Sequence, residues 1–229
     1  MKILITGASR GIGLYLLKKF KDEGYVVFGT YSETPYQEDL SDFFTKVDVR
    51  NSREVEQWIE KNVKNEDEIV LINCAAVNYN SIARRADVDD WMNVINVNLG
   101  GTFRAVRSVL PFMYKKGFGR IINFSSIVAQ RGVVGTSAYA ASKSAFWGMT
   151  KAIAAENAQR GITINNINLG YVNAGMTLTD VPENLREEMI QQNPSKKLGD
   201  LEAVYKTVKY LIETDYINGT SIDLNGGLY

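Results

Sequence analysis

Seven short β-rich runs recur along the chain, at residues 3–5, 26–29, 43–47, 69–72, 121–124, 162–167 and 221–224. Amphipathic segments separate them, at residues 14–22, 53–63, 88–113, 138–157 and 201–212, with apolar side chains at helical spacing. Strands that alternate with helices and read as apolar throughout imply a parallel sheet with both faces covered. The expected fold class is therefore α/β, a doubly wound parallel seven-stranded sheet with helices on both faces. A length of 229 residues suits one such domain over 1–229, and neither an internal repeat nor a low-complexity linker marks a second. The least regular stretch, 171–197, follows the sixth run, where such a sheet places ligands outside the carboxyl ends of its strands. It is a candidate substrate lid. Leu178, Val181, Leu185 and Met189 recur there at helical spacing, which suits an apolar face toward the site and core packing equally.

Charge and composition narrow the function. Lys and Arg number 26 against 26 Asp and Glu, so no basic field exists for nucleic acid and a small-molecule partner is expected. The absence of histidine excludes Ser-His-Asp hydrolysis and His-ligated metal catalysis, leaving acid/base work to Tyr, Lys, Asp, Glu or Cys. Cys74 is the single cysteine, which precludes an intramolecular disulfide and favours a reducing, cytoplasmic compartment. Met1 and Lys2 lead directly into the first run, so no signal peptide is expected, and no apolar run approaches the roughly 18 residues of a membrane-spanning helix.

The segment Thr6-Gly7-Ala8-Ser9-Arg10-Gly11-Ile12-Gly13 follows the first strand and opens a helix. Backbone N–H groups and the helix dipole at such a junction hold a pyrophosphate. Its GxxxGxG order is neither the GxGxxG dinucleotide fingerprint nor a P-loop, and it disfavours ATP hydrolysis. At the end of the second strand, Thr30-Tyr31-Ser32 stand where an NAD enzyme usually carries an acid for the ribose 2′-hydroxyl. With no acid there, Arg10 and the hydroxyls of Thr30 and Ser32 suit a 2′-phosphate, so NADP(H) is expected to be favoured over NAD(H). Glu33 is the opposing feature.

Tyr139 and Lys143 lie four residues apart at the start of a helix and share one face. Alone, the pair is a common surface pattern, but Ser125-Ser126 follow the fifth strand and sit on the sheet edge where ligands bind. Reduction of a carbonyl by hydride generates an alkoxide, which needs a proton donor and a hydrogen bond on the oxygen. A phenol with a pKa of roughly 10 needs help to serve. An ammonium at about 4 Å, in an effective dielectric of about 20, favours phenolate by about 4 kcal/mol, roughly three pKa units before burial opposes it. Tyr139 is thus expected to titrate toward neutrality.

These motifs together resemble the short-chain dehydrogenase/reductase family over nearly the whole chain, with its single-domain Rossmann-type fold. Thr6 to Gly13 resembles its TGxxxGxG loop, Asp48-Val49 its adenine-contacting pair, and Asn73-Cys74-Ala75-Ala76 its NNAG strand end. Asn98, Ser126, Tyr139 and Lys143 match its catalytic tetrad. The resemblance implies that Ser126 orients the carbonyl, Lys143 also holds the nicotinamide ribose, and Asn98 anchors a proton-relay water. A strand-terminating Ser126 and a buried structural Asn98 are the bland alternatives. The implied cofactor-binding set is Gly7, Ser9, Arg10, Gly11, Ile12, Gly13, Thr30, Asp48, Val49, Asn73, Ala75, Tyr139, Lys143, Gly170 and Val172, with no metal.

Three positions depart from the pattern. Ala76 replaces a glycine, Leu169 a proline before Gly170, and Ala174 a cofactor-holding threonine. The latter two remove a rigid φ and one hydroxyl contact, which loosens the expected grip on nicotinamide. Cys74 reads as a small buried residue rather than a reactive thiol.

Within the family, the glycine loop, the Gly29-Thr30 strand end and the ending from Ile217-Asn218-Gly219 to Tyr229 resemble bacterial 3-oxoacyl-[acyl-carrier-protein] reductases. Arg160 and Lys115-Lys116 fall at or near the basic positions that dock an acyl carrier protein there, although solvated helix ends explain them too. The expected activity is NADPH-dependent reduction of a small-molecule or carrier-bound 3-oxoacyl thioester. The alternatives are another alcohol, sugar or polyketide oxidoreductase, and a non-catalytic NADP(H)-sensing regulator. The resemblance also implies a homotetramer, with Phe103, Val106, Phe146, Trp147 and Met149 as interface candidates and core packing as the competing reading.

Overall fold

The computed structural model describes residues 1–33 and 41–228, so Tyr229 of the ending motif lies outside the described residues. Strands β1 (Lys2–Thr6), β2 (Val26–Tyr31), β3 (Phe44–Lys46), β4 (Ile69–Asn73), β5 (Gly119–Ser126), β6 (Ile162–Leu169) and β7 (Ser221–Leu224) form one sheet in the order β3-β2-β1-β4-β5-β6-β7. Every pairing is parallel. From β1 the chain winds outward to β3, then restarts beside β1 at β4 and winds the other way. The strand order therefore reverses between β1 and β4, which opens a crevice at their carboxyl ends.

Helices α1 (Gly11–Asp22) and α8 (Leu201–Glu213) cover one face, where Ile3, Ile5, Leu16, Phe20, Ile122 and Val204 pack. On the other lie α2 (Ser52–Asn62), α4 (Thr102–Lys116) and α5 (Ser137–Asn157), around Leu4, Trp58, Leu71, Val106, Ile121 and Ile164. Side-chain caps start several helices: Asn51 accepts from the N–H groups of Arg53 and Glu54, and Asp200 from that of Ala203. Gly117, at φ 71°, ends α4 in the left-handed conformation that glycine takes without penalty.

The amphipathic segment 88–113 is not one helix. It divides into α3 (Val88–Ile95), a π-helical turn over Asn96–Gly101, and α4. Gly101 lies so near Val49 that a Cβ on it would meet Val49 Cγ2 at 2.7 Å, and the Asn98 side chain is bonded to the backbone of Val77. Both contacts draw this turn toward the sheet edge, and π-turns inside helices frequently mark functional sites.

Nor are the strands apolar throughout. On the α5 face the amino halves carry Leu4, Leu71, Ile121 and Ile164, but the next row in register reads Thr6, Asn73, Asn123, Asn166 and Ser221. These asparagines form a buried ladder. Asn73 donates to Asn123 at 2.9 Å, Asn123 to Asn166 at 3.2 Å, and Asn166 to Ser221 at 3.0 Å. Thr150 of α5 joins by donating to Asn166 at 2.8 Å. Mutual hydrogen bonds offset most of the cost of burying this polar row, with Asn73 Oδ1 left without a partner among the described residues, and the ladder fixes α5 over β5 and β6.

Candidate active site

The glycine loop between β1 and α1 is held from both sides. Thr30 of β2 accepts from the Gly7 N–H through Oγ1 at 3.1 Å and from the Ala8 N–H through its carbonyl at 2.7 Å. On the β4 side, Thr6 Oγ1 accepts from the Ala75 N–H at 3.3 Å. Gly7 has φ +65°, and a Cβ there would fall 2.6 Å from Ala75 Cα, so no other residue fits. A Cβ at Gly13 would fall 2.4 Å from the Gly7 carbonyl oxygen. Helix α1 starts beneath the loop with no side-chain cap and no acid in its first turn. Its free N–H groups and positive end suit the pyrophosphate of a dinucleotide.

The loop opens into a cleft of about 800 Å³ along the carboxyl edge of the sheet. Of the expected cofactor contacts, Gly7, Ser9, Arg10, Gly11, Ile12, Gly13, Thr30, Asp48, Val49, Ala75, Gly170 and Val172 line it, with Ser126, Tyr139 and Lys143. Asn73 does not. As the last residue of β4 it points to the α5 face and donates to Asn123, so it builds the sheet beneath the site. Thr30 is only 1% exposed at the cleft floor, and its hydroxyl accepts from the Gly7 N–H while keeping its own proton to donate. It shapes the loop from below.

Lys143, 4% exposed, donates through Nζ to the Phe124 carbonyl at 2.7 Å. That nitrogen lies 5.5 Å from the centroid of the Tyr139 ring. The expected drift of Tyr139 toward neutrality does not occur. Burial first, and then the Asp180 carboxylate, push its phenol up to about 12, while burial lowers Lys143 to about 8. Burial and the Asp180 charge both favour the neutral phenol, so Tyr139 is held as an acid with its proton in place.

Ser126 ends β5, and its Oγ accepts from the Val128 N–H at 3.2 Å, which leaves the hydroxyl proton free to be donated. Asn98 is fully buried behind the cleft wall. Its Oδ1 accepts from the Val77 N–H at 2.8 Å, and both of its N–H groups are engaged, by the Val77 carbonyl and by Ser142 Oγ. The side chain thus pins the segment after β4 to α5, and one acceptor lone pair on Oδ1 remains.

The three departures are accommodated. Lys196 is the one non-glycine at positive φ among the described residues, so Ala76 sits in an ordinary conformation. Leu169 takes part in the β6 pairing with β7, and Gly170 continues it by donating to the Leu224 carbonyl at 3.0 Å. Ala174 packs into the core at the base of the lid. That base is closed by Gly199, whose N–H donates to the Tyr171 carbonyl and whose own carbonyl accepts from Asn173, both at 2.8 Å. Above it stand two helices, α6 (Met176–Thr179) and α7 (Glu183–Gln192), and Val181, Leu185 and Met189 line the cleft. At its far end Ser195 donates to the Gly226 carbonyl at 3.2 Å, so the Asn225-Gly226-Gly227 ending seats the lid. Cys74 lines the cleft with its thiol pushed well above the usual range by burial.

Sequence reasoning missed Arg50, which grips Asp48 with three bonds of 2.7 to 3.0 Å and donates to Asn93 at 3.0 Å, closing the cleft at the end nearest β2 and β3. The guanidinium holds the Asp48 carboxyl below the usual range. A cation two residues after Asp48 was the available signal. Ser142, between Ala141 and Lys143, gave none.

A dinucleotide cradle beside a half-buried Tyr and a buried Lys, at the switch point of a doubly wound parallel sheet, defines a nicotinamide-dependent oxidoreductase. Residues 1–185 match the short chain dehydrogenase family, and the chain belongs to it. It is similar to the 3-oxoacyl-[acyl-carrier-protein] reductase of Staphylococcus epidermidis, 33% identical over 239 residues that span 99% of this chain and 98% of the relative. The enzymes of the same name from Pseudomonas aeruginosa and Salmonella typhimurium are each 32% identical, over 99% of this chain and 96% of theirs. Among the described residues, no helix is long and apolar enough to cross a membrane.

Proposed function

We propose that this enzyme reduces a 3-oxoacyl thioester to the 3-hydroxyacyl product with NADPH, using Tyr139 as proton donor. The convergence of Ser126, Tyr139 and Lys143 on the cleft that begins at the glycine loop carries this reading, and the relatives' activity supplies the substrate class. The cofactor, when bound, supplies hydride. Ser126 orients the carbonyl by donating a hydrogen bond from its hydroxyl to the carbonyl oxygen, keeping its proton. Tyr139 passes its phenolic proton to that oxygen as alkoxide forms, and the Lys143 ammonium stabilises the phenolate left behind.

The preference for NADPH rests on Arg10 and Ser32 lining the cleft where residues 30–32 offer no acid, with Glu33 the opposing charge. Arg10→Ala is expected to lower kcat/KM for NADPH about tenfold relative to NADH, the equivalent of one charge-assisted contact. The test of the whole reading is oxidation of NADPH by an acetoacetyl thioester, and a chain that leaves the thioester unreduced would refute it.

Self-association into a homotetramer is part of the same proposal. Met92, Ile95, Leu99, Phe103, Ala145 and Met149 line an apolar groove beside α3 and α5, and Phe103 is 49% exposed. Val106 and Phe146 are buried in the protomer and leave the interface set. Light scattering gives the subunit number. Arg160, stacked 5.4 Å over Tyr114, lies with Lys115 and Lys116 by the amino ends of β5 and β6, about 23 Å from Ser126 along β5. A carrier protein docked there presents its acyl group through an arm of that reach, or to a neighbouring subunit.

A further inference from the structure

We infer that Asp180 and Glu188 make the substrate half of the cleft reject carboxylate-bearing carbonyl compounds and admit neutral ones, esters and thioesters above all. The inference rests on the proposed reading of the Tyr139 end as the substrate half. The lid turns Val181, Leu185 and Met189 to the cleft, and Asp180 and Glu188 are the charged side chains it adds among the described residues. Among the described residues, the cations on the cleft wall are Arg10 and Arg50, at the glycine loop and the β3 end, and Lys143. Arg50 is neutralised by Asp48, and the Lys143 ammonium is buried and turned to the Phe124 carbonyl. Arg186 of α7 is off the wall, directed to the Leu178 carbonyl at 3.5 Å.

A substrate carboxylate entering this half meets two groups of its own sign and, among the described residues, no free cation. Asp180 is fixed by the Thr179 hydroxyl, which donates to its Oδ1 at 2.5 Å, and it shares the cleft wall with Tyr139, whose phenol its charge helps to keep protonated. Its charge therefore faces the part of the cleft in which the proposed carbonyl is reduced. A neutral ester or amide-bearing thioester feels no such repulsion, and its N–H donors find acceptors in the two carboxylates. Because both side chains are solvent-exposed, screening limits each to a few-fold effect, and like-charge exclusion acts through their sum.

The experiment compares methyl 3-hydroxybutyrate with 3-hydroxybutyrate as ligands of the protein saturated with NADP+, read by tryptophan fluorescence. It uses the wild type and the Asp180→Asn/Glu188→Gln double variant. The wild type is expected to bind the ester at least about tenfold more tightly than the anion, and the double variant to narrow that gap below about threefold through a gain for the anion. Equal affinities in the wild type, a gap that survives in the double variant, or binding of neither ligand would overturn the inference. Thioester reduction is scored separately: a charge-dependent gap without thioester turnover removes the proposed substrate and leaves the selection intact.

Discussion

Asn98 donates through Nδ2 to Ser142 Oγ at 3.0 Å, and Ser142 passes the connection on by donating to the Tyr139 carbonyl at 2.8 Å. The segment after β4, the π-turn and the first turn of α5 are joined by this fully buried pair. Ser142→Ala removes the hydroxyl and strands one N–H of Asn98, a loss of about 1–3 kcal/mol. A several-fold fall in kcat is expected, with cofactor KM little changed, because Ser142 touches neither substrate nor cofactor. A variant that lost only thermal stability would show Ser142 to be structural alone.

Tyr139→Phe removes the proton donor and keeps the ring. Activity should fall by about 10²–10⁴-fold, while the far-UV circular dichroism and Tm remain those of the wild type. Near-normal turnover would assign the proton to another group.

Lys143 gives opposite pH signatures for stability and activity. Its folded pKa of about 8 lies below the roughly 10.4 of an unfolded lysine. Below pH 8 both states carry the proton, and the folded state bears the penalty of a buried charge. Between about pH 8 and 10.4 the unfolded state binds more protons, so this group's contribution to stability rises with pH. Reduction, which uses the ammonium, falls over the same rise through pH 8. Lys143→Met should abolish turnover and raise Tm by several degrees near pH 7. Melts repeated near pH 9.5 should show that gain shrinking, and a constant gain would exclude the buried charge as its source.

Thr30→Val retains the carbonyl bond to Ala8 but orphans the Gly7 N–H. A stability loss of about 1–3 kcal/mol is expected, together with a raised cofactor KM as the loop loses its lower anchor. Isothermal titration with NADP+ reads the second effect directly, and an unchanged affinity would separate loop order from Thr30.

Asn166→Leu breaks the middle of the ladder, leaving Asn123, Thr150 and Ser221 each short of a partner. Destabilisation on the order of 3 kcal/mol, a Tm lower by roughly 6–12 °C, is expected from several buried groups left unpaired at once. Thermal melts check it.

Much of this was legible in the sequence because it is local. The alternation of β-rich runs and amphipathic segments, the order Gly7, Gly11, Gly13 after a strand, and the four-residue step from Tyr139 to Lys143 all depend on near neighbours. Each holds in the structure: every expected strand forms, and loop and pair share one cleft. What was not legible concerns partners distant along the chain. Asn73, expected at the cofactor, donates to Asn123 of β5 fifty positions away, and the two bonds that Thr30 accepts from the glycine loop span twenty-three and twenty-two positions.

The sequence by itself determined which groups this protein owns and roughly where along the sheet edge each one stands, since backbone periodicity and turn chemistry are short-range. Only the tertiary structure decided their protonation and their duties. Desolvation depends on everything packed around a group, so the burial that holds Tyr139 near 12 and Lys143 near 8 is a property of the assembled cleft. The same holds for Asp180, which reaches Tyr139 only because the lid, seated on the Asn225–Gly227 ending, brings it there.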